Sequence, residues 1–71
     1  MSEKASAGAN LSAIMERRGV SVRALAADTG LSISTVRRLR RSSGGGNLST
    51  WARLAESLGV SVGEIMGGDG E

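Results

Sequence analysis

One phrase, used three times, constrains the fold of this chain more than any other feature. It reads Gly19-Val20-Ser21-Val22-Arg23-Ala24-Leu25, then Gly30-Leu31-Ser32-Ile33-Ser34-Thr35-Val36, then Gly59-Val60-Ser61-Val62-Gly63-Glu64-Ile65. Each copy is glycine, apolar, serine, apolar, two variable positions and apolar. Glycine supplies the left-handed conformation that closes one helix. Serine caps the next by accepting hydrogen bonds from its first free amides. The apolar residue before the serine packs on the one five positions later, a hydrophobic staple that sets the direction in which the chain enters the helix. The expected staples are Val20 with Leu25, Leu31 with Val36, and Val60 with Ile65. Ser61 and Glu64 also stand at capping-box spacing. The intervals between the phrases are unequal, so they are helix junctions and not the units of a repeat array.

These junctions divide the chain into five helices, an all-α fold. The first is expected over residues 11–18, capped by Asn10, with Leu11, Ile14 and Met15 on one face. The second runs over 22–28 and buries Leu25 and Ala26; the third runs over 33–40 and buries Val36 and Leu39. The fourth, over 48–58, is capped by Asn47 and sets Leu48, Trp51, Leu54, Ala55 and Leu58 at helical spacing. A short fifth helix ends near Met66. Residues 42–46 read as a small-residue loop, flexible when nothing is bound. The expected organisation is a disordered arm over 1–9, one domain over 10–66 and a tail over 67–71.

At 71 residues the chain is near the lower limit for folding without staples. It has neither Cys nor His, which removes disulfides and the common zinc sites. No cofactor or metal site is legible, and no sensor pocket for a small molecule. No apolar run nears the roughly 18 residues that span a membrane. The N-terminus lacks an apolar signal-peptide core. A soluble cytoplasmic protein is the expectation. Ser21, Ser32 and Ser61 resemble nucleophiles only superficially: there is no histidine base, no carboxylate pair at acid–base spacing, and each has a capping role. The chain is not expected to be an enzyme.

The charge is unevenly placed. Between Asp28 and Glu56 there is no acid, and that interval holds Arg37, Arg38, Arg40, Arg41 and Arg53. Arginine forks match phosphate oxygens and guanine edges. An arginine run can equally be a solvated helix face, so its location decides. Helices 2 and 3 are joined only by Thr29, Gly30, Leu31 and Ser32, a connection so short that the two helices must cross steeply, as in a helix-turn-helix.

Leu25-Ala26, Gly30, Ser32, Val36 and Leu39, followed by Trp51-Ala52-Arg53-Leu54-Ala55-Glu56-Ser57-Leu58-Gly59-Val60-Ser61, resemble the signature of the Cro/phage-repressor type of helix-turn-helix domain, the lambda-repressor-like family. The likeness extends over about residues 11–66. It implies a compact five-helix DNA-binding domain whose third helix, about 32–41, enters the major groove of double-stranded DNA. Ser34 and Arg38 then stand at the base-reading positions. Arg37 lies beside them, able to read bases or grip phosphate, and Ile33 can press on a thymine methyl. Arg41 and the loop before Asn47 would lie over the sugar-phosphate backbone. The helix starts at Ser21, Val22 and Asn47 would offer amides to phosphates.

The resemblance has departures. Val22 and Ile33 are apolar where relatives often carry glutamine, and the loop over 42–46 lacks the proline often seen before helix 4. The glycines there read as a linker or as a phosphate cradle. Trp51 is the only aromatic residue; its apolar frame points to the core or a subunit interface ahead of base stacking. The implied function is a transcriptional regulator, most naturally a repressor acting as a homodimer, with Val62, Ile65, Met66 and Trp51 as candidate dimer contacts. The alternative is a protein-interaction adaptor of the same fold, antitoxin-like or polymerase-binding, docking through Val22 and Ile33.

Overall fold

Every helix start in the structure is closed by a short polar side chain, and three of these caps come from the recurrent phrase. The computed structural model describes residues 6–67; the expectations for residues 1–5 and 68–71 lie outside them. Helices run Ala7–Arg18 (α1), Val22–Thr29 (α2), Ile33–Arg40 (α3), Leu48–Leu58 (α4) and Val62–Met66 (α5). The Oγ atoms of Ser21 and Ser32 accept from the amides of Ala24 and Thr35, each at 3.0 Å. Ser61 and Glu64 form the reciprocal capping box, both bonds at 3.2 Å. Asn47 Oδ1 accepts from Ser49 N–H at 3.0 Å. Gly30, with φ of 81°, makes the turn between α2 and α3 in a conformation that costs a residue with Cβ roughly 1–2 kcal/mol.

The packing follows the predicted faces with few exceptions. α1 lies against α3, α4 and α5; α2 against α3 and α4; α4 against α5. Leu11, Ile14, Met15, Leu25, Ala26, Val36, Leu39, Trp51, Leu54, Ala55, Leu58 and Ile65 form one core. The distal staple partners Leu25, Val36 and Ile65 are fully buried, while Val20, Leu31 and Val60 are half-buried and pack against that core. No buried side-chain nitrogen or oxygen among the described residues lacks a hydrogen-bond partner. No described helix is long and apolar enough to cross a membrane.

Three local expectations need correction. α1 starts one turn before residue 11, with Ser6 as its cap accepting from Ala9 N–H at 3.1 Å. Asn10 is therefore inside the helix, and its Nδ2 donates to the carbonyl of Ile65, tying α1 to α5 across 55 residues of sequence. The helix extends backward because Ala7 and Gly8 are buried, and Gly8 N–H donates to Ser42 O at 3.0 Å, at the end of α3. Second, Leu48 is 60% exposed. It belongs to a first turn whose neighbours at 46, 47 and 49 are all exposed, so helical spacing from Trp51 does not bring it to the core. Third, the loop over 42–46 is anchored. Ser42 O receives the Gly8 bond, Gly44 N–H donates to Ser42 Oγ at 3.3 Å, and Trp51 Nε1 donates to Gly45 O at 3.2 Å.

Candidate nucleic-acid interface

The α2–α3 unit is held more firmly than its apolar pattern alone suggests. Thr29, buried at the end of α2, donates from Oγ1 to Leu25 O at 2.8 Å and accepts from Leu31 N–H at 3.3 Å. Its own carbonyl accepts from Arg53 of α4 at 3.4 Å. Asp28 and Ser57 are hydrogen-bonded beside it, again joining α2 to α4. Thr29 therefore satisfies the turn that Gly30 makes, a role no local signal marked. The small side chain of Ala26 is buried, as expected where α2 lies against α3.

With Val36 and Leu39 turned inward, the rest of α3 sorts into two surfaces. Ser34, Arg38 and Arg41 project on the face opposite the core and are exposed. Arg37 is also exposed, on the flank towards Arg40. Ser32 Oγ, besides capping α3, donates to Thr35 Oγ1 at 2.8 Å. Ile33 is only half exposed and packs against the core, which limits the apolar surface it offers. Val22, at the start of α2, is likewise half-buried on the core. Ser21 and Asn47, at the starts of α2 and α4, are exposed, with their side-chain oxygens engaged as caps.

The arginines occupy four of the five positions 37–41. Cations near a helix C-terminus gain roughly 0.3–1 kcal/mol from the backbone dipole. Like charges spaced three or four apart lose a few tenths per pair. Fold stability therefore gives no strong reason for the cluster, whereas a polyanion facing α3 does. Sequence reasoning missed Arg40, which is half-buried with Nε donating to Ser12 Oγ of α1 at 3.0 Å. The two residues are 28 positions apart, and no local signal joins them. Trp51 is fully buried and so lies in the core, away from any stacking or subunit surface; Ile65 is buried as well.

Two packed helices joined by only three residues, 30–32, the second presenting an arginine-rich outer face, define the helix-turn-helix class of DNA-binding domain. Within that class, residues 10–68 match the Cro/C1-type HTH DNA-binding domain, and the chain belongs to this family. It is a family of DNA-binding domains without enzymatic activity. No curated protein sequence matches the chain. Among solved structures, the clp gene regulator ClgR of Corynebacterium glutamicum is 27% identical with a TM-score of 0.76, over 83% of this chain and 63% of that one. This chain thus spans under two thirds of the ClgR chain's length. The restriction-modification controller protein C.AhdI of Aeromonas hydrophila is 27% identical, TM-score 0.78, over 84% of this chain and 91% of that one. The P22 c2 repressor, crystallised with a synthetic operator, shares the fold at TM-score 0.81 and 22% identity, over 92% of this chain and 98% of its own.

Proposed function

We propose that the protein is a sequence-specific transcriptional regulator, a repressor that binds double-stranded DNA as a homodimer with α3 in the major groove. The observation carrying this reading is the outer face of α3, where Ser34, Arg37, Arg38 and Arg41 are all exposed while the opposite face is core. Arg38 reads guanine through its O6 and N7 acceptors, Ser34 contacts a neighbouring base, and Ile33 presents its exposed part to a thymine methyl. Ser21, Val22, Arg41 and Asn47 meet the sugar-phosphate backbone. Kinship with regulators such as ClgR and C.AhdI supports the regulatory role.

The adaptor alternative needs Val22 and Ile33 as a free apolar surface. Both are half-buried against the core, so the reading loses much of its support. For the dimer, burial of Trp51 and Ile65 leaves Val62 and Met66, both half-buried on α5, as the candidate contacts from the original four.

The test is selection of bound sequences from a random duplex pool at two salt concentrations. The expected product is a two-fold motif with guanine in each half-site, the half-sites about 10 base pairs apart. Arg38→Ala is expected to weaken that site by roughly 1–3 kcal/mol per half-site while leaving random-sequence binding much less affected. Absence of binding even at low salt would sink the proposal.

A further inference from the structure

A depression of about 320 Å³ opens between α1 and α3, lined by Ser12, Arg37, Arg40 and Arg41. Among the described residues that line it, three of the four are arginines and none is a carboxylate. Arg40 differs from the other two. It is half-buried, and the bond from its Nε to Ser12 Oγ, at 3.0 Å, orients the guanidinium plane, while its terminal nitrogens bond to no other group among the described residues. Arg37 and Arg41 are one helical turn apart and exposed, so their forks can close over the same hollow.

Rotation along α3 separates these residues from the base-facing ones. At 3.6 residues per turn, Ser34 and Arg41 point most directly away from the core, Arg38 lies about 50° to one side of that direction, and Arg37 lies about 50° to the other side, with Arg40 and towards α1. A helix seated in a groove has a strand along each flank, and the flank towards α1 is the one that carries Arg37 and Arg40. Planar, multi-donor arginine is the side chain suited to phosphate oxygens in such a position.

We infer that this depression is a phosphate seat, in which Arg40, oriented by Ser12, joins Arg37 and Arg41 in gripping one backbone phosphate of the DNA strand that borders the groove. The inference rests on the DNA-binding reading and deepens it. Arg37 is assigned to the backbone and Arg38 to the bases. Ser12 is a positioning residue, acting through Arg40.

The test measures affinity for the selected duplex and for a random duplex across a salt series. Arg37→Ala is expected to weaken both duplexes by the same factor. It should also make the slope of log affinity against log salt shallower by about one. Ser12→Asp, which puts a carboxylate into the hollow, should do the same more strongly; Ser12→Ala should do so more weakly. Melting curves of the variants guard against loss of fold, and exposed Arg37 is not part of the core. Random-duplex binding with an unchanged salt slope in both Arg37→Ala and Ser12→Asp overturns the seat and leaves DNA binding intact. Loss confined to the selected duplex in Arg37→Ala overturns it too, making Arg37 a base reader.

A second readout is independent of DNA. Titrating inorganic phosphate into the isotopically labelled protein should shift the Arg40 Nε–H resonance saturably, and Ser12→Asp should abolish the shift. If no duplex binds but this shift appears, the regulator reading fails and the seat belongs to a free phosphate-bearing ligand. If phosphate produces no shift and the salt slope is unaltered by the variants, the seat does not exist.

Discussion

Replacing Gly8 with alanine is expected to lower the melting temperature by roughly 10–20 °C, because the new methyl has nowhere to go. A Cβ at this position would lie 2.5 Å from the carbonyl oxygens of both Arg40 and Ser42. These are backbone atoms, so relief requires the first turn of α1 to lift off the end of α3. Overpacking of this kind costs about 1–3 kcal/mol. Stretching the Gly8 N–H bond to Ser42 O adds on the order of 1 kcal/mol. In a domain this small each kcal/mol is worth about 4–8 °C. Gly19→Ala is the matched comparison. Nothing lies within 4 Å of a Cβ there, so only the left-handed backbone, φ 67°, opposes it, for about 1–2 kcal/mol. Thermal melts of the two variants should therefore rank Gly8→Ala as the worse. A Gly8→Ala protein melting within a few degrees of wild type would show that α1 does not seat on α3 as described.

Trp51→Ala should be more severe still. Trp51 is 0% exposed and is the largest fully buried side chain. Truncating a buried tryptophan typically costs about 3–5 kcal/mol. That is comparable to the whole net stability available to a core of this size, so the variant should be largely unfolded at 37 °C. Trp51→Phe separates the two roles of the residue. It keeps most of the apolar contact but removes the indole N–H that holds Gly45 O. The expected result is a folded protein destabilised by roughly 1–2 kcal/mol, with amide exchange accelerated locally over residues 42–46. Hydrogen exchange and urea denaturation check both. Cooperative, near-native unfolding of Trp51→Ala would contradict the burial on which the fold rests.

What could be read in the sequence was what is written locally. A glycine in the left-handed region and a serine cap lie within a few residues of the boundary they mark, so α2 to α5 were placed closely. The end of α2 came one residue late, at Thr29. The start of α1 was hidden because Ala7, Gly8 and Ala9 carry no apolar period, and Asn10 has the chemistry of a cap. Only the arrival of the α3 end over Gly8 makes that turn helical and buried. Leu48 misled for the converse reason: helical spacing gives a face, but not how far along the axis the core reaches. In the candidate site, the exposed strip of α3 followed from its own periodicity. Ser12 with Arg40, and Thr29 with Arg53, required the tertiary arrangement, since each pair joins helices distant in sequence.

The helix caps set a limit on how this protein can be hardened against heat. Among the described residues all five helix caps are neutral, and α5, with Glu64, is the only helix with an acid in its first turn. Negative charge at a helix start commonly adds roughly 0.3–1 kcal/mol, so α2 and α4 forgo a gain that single substitutions would supply. Their starts are the ones expected to face phosphates, where a carboxylate would repel the strand. Ser61→Asp, at the start of α5, which is not among the starts expected to face phosphates, should therefore raise the melting temperature at no cost in DNA affinity. Ser21→Asp and Asn47→Asp should raise it only by weakening DNA binding, most visibly at low salt. Laboratory evolution for thermostability alone would be drawn to those two positions, and a line that fixed them would keep its fold while losing its operator.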